Sequence, residues 1–253
     1  MNNISKNIIN FRKNKQKIDI PKIKKKGLSI SDGYEIQNEI YNHYSKSEEF
    51  TGWKIGCTTK VMQKYLKIPS PCLGRVMKKN ILKGDSKVDF MHFIRPGVEC
   101  EIGVILSKEF DINIKKPLEK IIEKIVPSIE IVDDRWPDYK KEKTAILIAD
   151  DFFASSIVYG EGININDIKD LSNIRGFMSC NNSKLGEGKG SDILQDPLNA
   201  LRWFLEFNFK DNNVPKAGDL ISLGSIVQTY WVNQNDTIKI DLEKIGKVEV
   251  QFK

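Results

Sequence analysis

The residues best placed to do chemistry lie in RPGVECEIGVIL, residues 95–106. Side chains alternate along a strand, so Val98, Cys100, Ile102, Val104 and Leu106 share one apolar face that must meet the core, while Glu99 and Glu101 point together to the other. Two neighbouring like charges repel unless a cation sits between them. Gly103 and Ile105 continue the second face, so it is not a generally solvated surface. A third carboxylate, Glu130, stands in PSIEIVDD with Ile129 and Ile131 on the opposite face. An acid inside an apolar strand needs a partner. Glu99, Glu101 and Glu130 make an oxygen-rich set that suits Mg²⁺ or Mn²⁺, and Zn²⁺ less well. His43 and His92 are the only histidines, which leaves little room for a His-rich zinc site. On spacing alone the rival reading is ordinary surface glutamates on half-exposed strands.

The elements that would position these groups follow from periodicity. Ile4, Ile8, Phe11 and Ile18 fall roughly on one helical stripe. Ser31 or Asp32 can cap a second helix in which Tyr34, Gln37, Tyr41 and Tyr44 share a face, with KIKKKGLS as the link between the two. FTGWKIGC reads as a short strand. Thr58 or Thr59 can start a helical stretch through Met62, Tyr65 and Leu66, which Pro69 and Pro71 end. From about residue 72 short apolar strands dominate: Val98–Leu106, Ser128–Val132, one within Ala145–Tyr159, then DLISLG, the stretch through Val232, DTIKIDL and KVEVQF. The spacing predicts an amphipathic helix over Pro117–Val126, using Leu118, Ile121, Ile122 and Ile125. Asp196 and Pro197 make an N-cap and N1 pair for the helix LNALRWFLEFNF. No βαβ rhythm and no glycine-rich phosphate loop is present, which disfavours a Rossmann or barrel fold. The class is α+β, a helical N-terminal part over residues 1–70 and a β-rich core over residues 71–253 that carries the three glutamates.

The totals exclude several classes. With 253 residues, 40% hydrophobic and 29% charged, the chain can bury a full core. No apolar run approaches the roughly 20 residues needed to span a bilayer, and MNNISKNIINFRKNK has no signal-peptide h-region, so the expectation is a cytoplasmic protein without a membrane partner. Cys57, Cys72, Cys100 and Cys180 are scattered without a CxxC pair, which reads as free thiols in a reducing compartment. The net charge is +6, yet residues 1–30 hold nine Lys and Arg against Asp19 alone, so the remainder is slightly acidic. That arm lacks aromatics interleaved with its charges, which favours a solvated helix face over nucleic-acid binding.

At the glutamates the sequence resembles the 2-keto-4-pentenoate hydratase and 4-oxalocrotonate decarboxylase group of the fumarylacetoacetate hydrolase superfamily. The resemblance spans nearly the whole chain in order: DGYEIQ (32–37), GWKIGCT (52–58), PGVECEI (96–102), PSIEIVDDR (127–135), DPLNALRWF (196–204), AGDLISLG (217–224) and IGKVEVQF (245–252). It implies a fumarylacetoacetate-hydrolase-like core, Mg²⁺ or Mn²⁺ on Glu99, Glu101 and Glu130, a catalytic or substrate-orienting Lys54, a small 2-oxo or 2-hydroxydienoic acid substrate and a homo-oligomer. The activity it implies is metal-dependent hydration of a 2-hydroxypenta-2,4-dienoate. The alternatives are decarboxylation through the same enolate and a non-catalytic descendant that keeps the fold. The sequence departs from the group's pattern at three places. Cys72, taken with Lys54 as a catalytic-site residue, stands where the group usually has an acid, Asp150-Asp151-Phe152-Phe153 replaces an Asp-Asn-Ala-Ser segment, and Gly97 replaces an arginine.

Overall fold

The computed structural model describes residues 1–209 and 213–253. Two helices open the chain, α1 (Asn3–Lys13) and α2 (Ile30–Tyr44), followed by β1 (Phe50–Gly56), α3 (Lys60–Leu66), β2 (Cys72–Met77), β3 (Ile81–Lys83), β4 (Ser86–Val88) and β5 (Pro96–Leu106). The next elements are α4 (Leu118–Ile121), β6 (Ile122–Asp133), α5 (Thr144–Ala149), β7 (Ala154–Tyr159), β8 (Arg175–Cys180), β9 (Ser183–Lys189) and α6 (Pro197–Leu205). Strands β10 (Leu220–Ser225), β11 (Tyr230–Trp231), β12 (Thr237–Asp241) and β13 (Lys247–Phe252) close the chain. Among the described residues no helix is long and apolar enough to cross a membrane.

Two sheets carry the structure. The larger runs β2-β1-β10-β5-β6-β7-β3, with β11 added beside β5, and the smaller runs β4-β13-β12-β8-β9. The apolar face of β5 (Val98, Cys100, Ile102, Val104) packs in one cluster with Ile238, Ile240, Val248, Val250 and Phe252 of the smaller sheet and with Ala200, Leu201 and Phe204 of α6. Each such aliphatic or aromatic side chain contributes roughly 1.5–3 kcal/mol on burial. A second cluster joins α1, α2 and α5 through Ile4, Ile8, Ile36, Ile40, Ile146 and Leu147. β1 belongs to the N-terminal 70 residues, yet it lies inside the larger sheet, antiparallel to β2 and parallel to β10.

Several boundaries differ from the periodicity. The amphipathic helix over Pro117–Val126 shrinks to the single turn of α4, and residues from Ile122 join β6. The apolar spacing of Ile121, Ile122 and Ile125 fits either period, and β5 decides it: Val104 pairs with Ile125 and Gly103 with Val126, so the strand gains both hydrogen bonds and burial. The cap of α2 is Ser29, not Ser31 or Asp32; Asp32 instead occupies N3 and completes a reciprocal capping box with Ser29. The buried face of α2 is Gly33, Ile36, Gln37 and Ile40, with Tyr34, Tyr41 and Tyr44 at its partly exposed margins. Ile18 is buried outside α1, and its N–H donates to the Arg135 carbonyl at 2.6 Å. Thr59 caps α3. Asp196 and Pro197 start α6 as expected, but the helix stops at Leu205, before Phe209.

Candidate metal centre

β5 and β6 form the longest antiparallel pair, and their register sets Glu99 directly across from Glu130, with Glu101 across from Ser128. Ligand oxygens from Glu99, Glu101 and Glu130 lie within 4.8 Å of one another. Glu101 and Glu130 are fully enclosed, and Glu99 is half-buried at the opening. Both faces of β5 are therefore buried: one meets the apolar core and the other faces this cluster.

Each carboxylate is held differently. The Thr229 hydroxyl donates to Glu99 Oε1 at 2.5 Å, and the Gly224 N–H donates to Glu101 Oε2 at 3.1 Å. Glu130 makes an ion contact, Lys54 Nζ to its Oε1 at 3.1 Å, and among the described residues neither of its oxygens receives a well-directed hydrogen bond. Burial, then the charges of Glu130 and Glu99, hold the Glu101 carboxyl well above its ordinary range. Burial also pushes Glu130 up, to about 7, against the pull of Lys54. Burial works against the Lys54 ammonium, but Glu130, Glu99 and Glu101 outweigh it and hold Lys54 in the charged form. Three acids around one point, two of them enclosed and one facing a single ammonium, fit a hard divalent cation that takes oxygen ligands. Without one, the cluster must hold protons or strain against its own charge.

Lys54 comes from β1 and is 2% exposed. It lines a cavity of about 980 Å³ together with Glu99, Cys57, Thr229, Phe152 and Trp231. Cys72 is not among the residues of this wall. It is 1% exposed and lies beside a smaller cavity of about 400 Å³ with Tyr34, Trp203 and Phe207. The antiparallel pairing of Gly56 with Cys72 sets Cys57 next to it. The hydrogen bond with Cys72, followed by burial, pushes the Cys57 thiol far above its ordinary range, so it stays protonated.

The segment after α5 supplies another wall. Asp151, Phe152 and Phe153 all have positive φ, at 53°, 49° and 68°, a left-handed turn without glycine that costs about 1–2 kcal/mol per residue. A buried ion network over-determines it. Arg12 Nε donates to Asp150 Oδ1 at 2.7 Å, and its guanidinium lies 3.2 Å from Asp151 Oδ2. Arg135 Nε donates to Asp150 Oδ2 at 2.9 Å, and the Arg75 N–H donates to Asp151 Oδ1 at 3.3 Å. Gly74 lets the turn approach, since a Cβ there would lie 2.3 Å from the Asp151 carbonyl oxygen. Arg12 is therefore no part of a solvated basic face. Sequence reasoning missed it, although two adjacent acids after the apolar run AILIA signal a need for buried cations. Thr229, Trp231 and Tyr139 also escaped, because nothing local marks residues in and just before β11, or in the loop before α5, as lining the same cavity as Glu99.

Comparison with known proteins agrees with this geometry. A 2-keto-4-pentenoate hydratase of Paraburkholderia xenovorans (strain LB400) is 27% identical over 230 residues, covering 89% of this chain and 84% of the relative. A 4-oxalocrotonate decarboxylase of Pseudomonas sp is 24% identical over 224 residues, covering 87% and 86%. The solved 4-oxalocrotonate decarboxylase from Pseudomonas putida G7, complexed with magnesium and adipate, superposes with a TM-score of 0.89 at 21% identity, over 99% of this chain and 96% of that one. That likeness establishes the fold. Residues 83–253 match the model of the fumarylacetoacetate (FAA) hydrolase C-terminal domain, and the chain belongs to the fumarylacetoacetate hydrolase family.

Proposed function

We propose that this chain is a divalent-metal-dependent lyase that hydrates 2-hydroxypenta-2,4-dienoate-type substrates, with Glu99, Glu101 and Glu130 holding Mg²⁺ or Mn²⁺. The observation that carries the reading is the enclosed Glu130, whose oxygens have no directed hydrogen bond among the described residues and stand beside two further acids. Relatives of the chain are named hydratases and a decarboxylase, and a relative of the same fold is complexed with magnesium. The assembly we envisage is a homo-oligomer acting on a small 2-oxo acid.

A bound divalent ion would act as a Lewis acid that draws charge onto the oxygens of a chelating 2-oxo acid and makes its enolate accessible. The remaining work falls to the chain. Lys54 is a fixed cation at the cavity wall beside Glu99; it orients the substrate carboxylate and offsets its charge. Thr229 and Gly224 hold Glu99 and Glu101 so that little reorganisation accompanies binding. The Phe152 ring, whose centroid is 5.2 Å from Lys54 Nζ, keeps water from the ammonium.

Decarboxylation is the second reading, favoured by one feature of the wall. Among the described residues Glu99 and Asp192 are the only carboxylates lining the cavity, and Asp192 accepts the Lys189 N–H at 2.8 Å. Water addition to a conjugated system needs a positioned acid–base group, and the place of the group's usual acid, Cys72, reaches the cavity only through Cys57. Loss of CO₂ needs no such group. The test follows the absorbance of 2-hydroxypenta-2,4-dienoate and CO₂ release from 4-oxalocrotonate under saturating Mg²⁺. Turnover of the first supports hydration, and turnover of the second alone supports decarboxylation. Full activity in chelator, or in Glu101→Ala, overturns the metal assignment.

A further inference from the structure

One wall of the cavity is aromatic and continuous. It starts at Phe152 beside the Lys54 ammonium and runs through Phe153 (ring centroids 5.3 Å apart), Tyr139 (5.4 Å) and Trp231 (6.3 Å). All four rings line the same cavity as Lys54 and Glu99. Each end is fixed. The Phe152-Phe153 end is the left-handed turn held by Arg12, Arg135 and Arg75, and strain of that kind persists only where the surroundings impose it. At the other end β11 sets Trp231 opposite Gly97, two residues from Glu99. A Cβ on Gly97 would lie 2.9 Å from the indole, so glycine is what lets the ring settle there. Arg95 covers the indole at 4.2 Å, but it is bound by Asp134 at 3.0 Å and does not line the cavity.

Charge is distributed unequally over this cavity. Among the described residues its cations are Lys54, already paired with Glu130, and the exposed Lys60 at the first turn of α3. A second carboxylate directed at this wall would meet apolar ring surface that offers it no cation. It would lose its hydration there without an ionic partner, which costs several kcal/mol. An alkyl, alkenyl or aryl tail would instead bury apolar surface against the rings. We propose that Tyr139, Phe152, Phe153 and Trp231 determine specificity, selecting a 2-oxo acid with an uncharged apolar tail over one ending in a second carboxylate. This rests on the 2-oxo-acid reading above in its hydratase form, since 4-oxalocrotonate itself ends in a second carboxylate, and it names the tail that the same site prefers.

The test compares two non-reacting probes of equal length, 2-oxohexanoate and 2-oxoadipate, which differ only in a terminal methyl or carboxylate. Their dissociation constants are measured calorimetrically with the full chain in saturating Mg²⁺, after Mg²⁺ binding itself has been verified. The expected result is 2-oxohexanoate tighter by about tenfold or more, a fraction of the desolvation penalty of the one extra carboxylate. Trp231→Ala and Phe153→Ala should each narrow that ratio, and Lys60→Ala should not. A ratio near one, or tighter 2-oxoadipate, overturns the specificity assignment while leaving the 2-oxo-acid reading in place. Tighter 2-oxoadipate that is lost in Lys60→Ala would assign the tail to α3 instead. Binding of Mg²⁺ with neither probe binding would overturn the 2-oxo-acid reading and the tail assignment with it.

Discussion

Glu130 and Glu101 are held above the ordinary carboxyl range by burial first and by neighbouring acids second. A carboxyl raised in the folded state binds its proton more tightly there than in the unfolded chain. Its contribution to stability is therefore fully present below the ordinary value and is lost as pH rises through the folded value. For Glu130 that window runs from 4.5 to about 7. The metal-free protein should therefore melt at progressively lower temperature as pH rises from 5 to about 7, and Glu130→Gln should flatten the profile. In saturating Mg²⁺ the fall should disappear, because the ion favours the ionised forms. A metal-free melting temperature that climbs across this window would show that the cluster is not proton-loaded. Lys54 belongs to the same scale. Above about pH 7, where Glu130 is ionised, Lys54→Met leaves it without its cation and should destabilise the metal-free protein by roughly 3–5 kcal/mol, read from denaturant midpoints. In the metal-loaded protein KM for the 2-oxo acid should rise about tenfold, the loss of one charge-assisted contact. Unchanged kinetics would leave Lys54 as a counter-ion for Glu130 and nothing more.

At the scale of elements, α1 acts on the cavity without lining it. Arg12 near its C-terminal end binds both Asp150 and Asp151, and these carry the left-handed turn that presents Phe152 and Phe153. Arg12→Ala should cost about 3–5 kcal/mol, because it leaves buried carboxylates short of a partner. The double variant Arg12→Ala/Asp151→Asn should cost less than the sum of the two single changes. Additive losses by urea denaturation would mean that Arg12 and Asp151 are not coupled. α3 is the contrasting element. None of its residues is buried, so Val61→Ser and Tyr65→Ser should change stability by no more than about 0.5 kcal/mol.

The whole molecule places a cluster of mutually repelling acids at the centre of its larger sheet, so its stability should respond to what that cluster binds. A ligand that binds only the folded state at about 100 times its Kd adds about 2.7 kcal/mol. In a chain of this size that raises Tm by roughly 5–10 °C. Calorimetry with Mg²⁺ and then with chelator checks this. Glu99→Ala, Glu101→Ala and Glu130→Ala should each remove most of the rise, and a rise that survives in all three would place the ion elsewhere.

The readable parts of this protein were local. Glu99 and Glu101 are two residues apart, and the period of a strand alone puts them on one side of an apolar face. Asp196 and Pro197 start a helix through their own backbone chemistry. The match of ordered motifs carried the family, the three glutamates and Lys54. What required the tertiary structure was every relation between distant segments. Glu130 meets Glu99 because of the β5–β6 register, and Lys54 reaches Glu130 across β10 and β5. Ile122 to Val126 became strand because β5 offered an unpaired edge, against a periodicity that fitted a helix equally well. Cys72 sits behind Cys57 because β2 pairs antiparallel with β1, and Arg12 left the solvent because two acids 138 and 139 positions away needed a cation. Periodicity reports which side of an element is apolar, but sheet order and register decide what that side meets. They are set by the summed packing of the whole chain, which no window of residues contains.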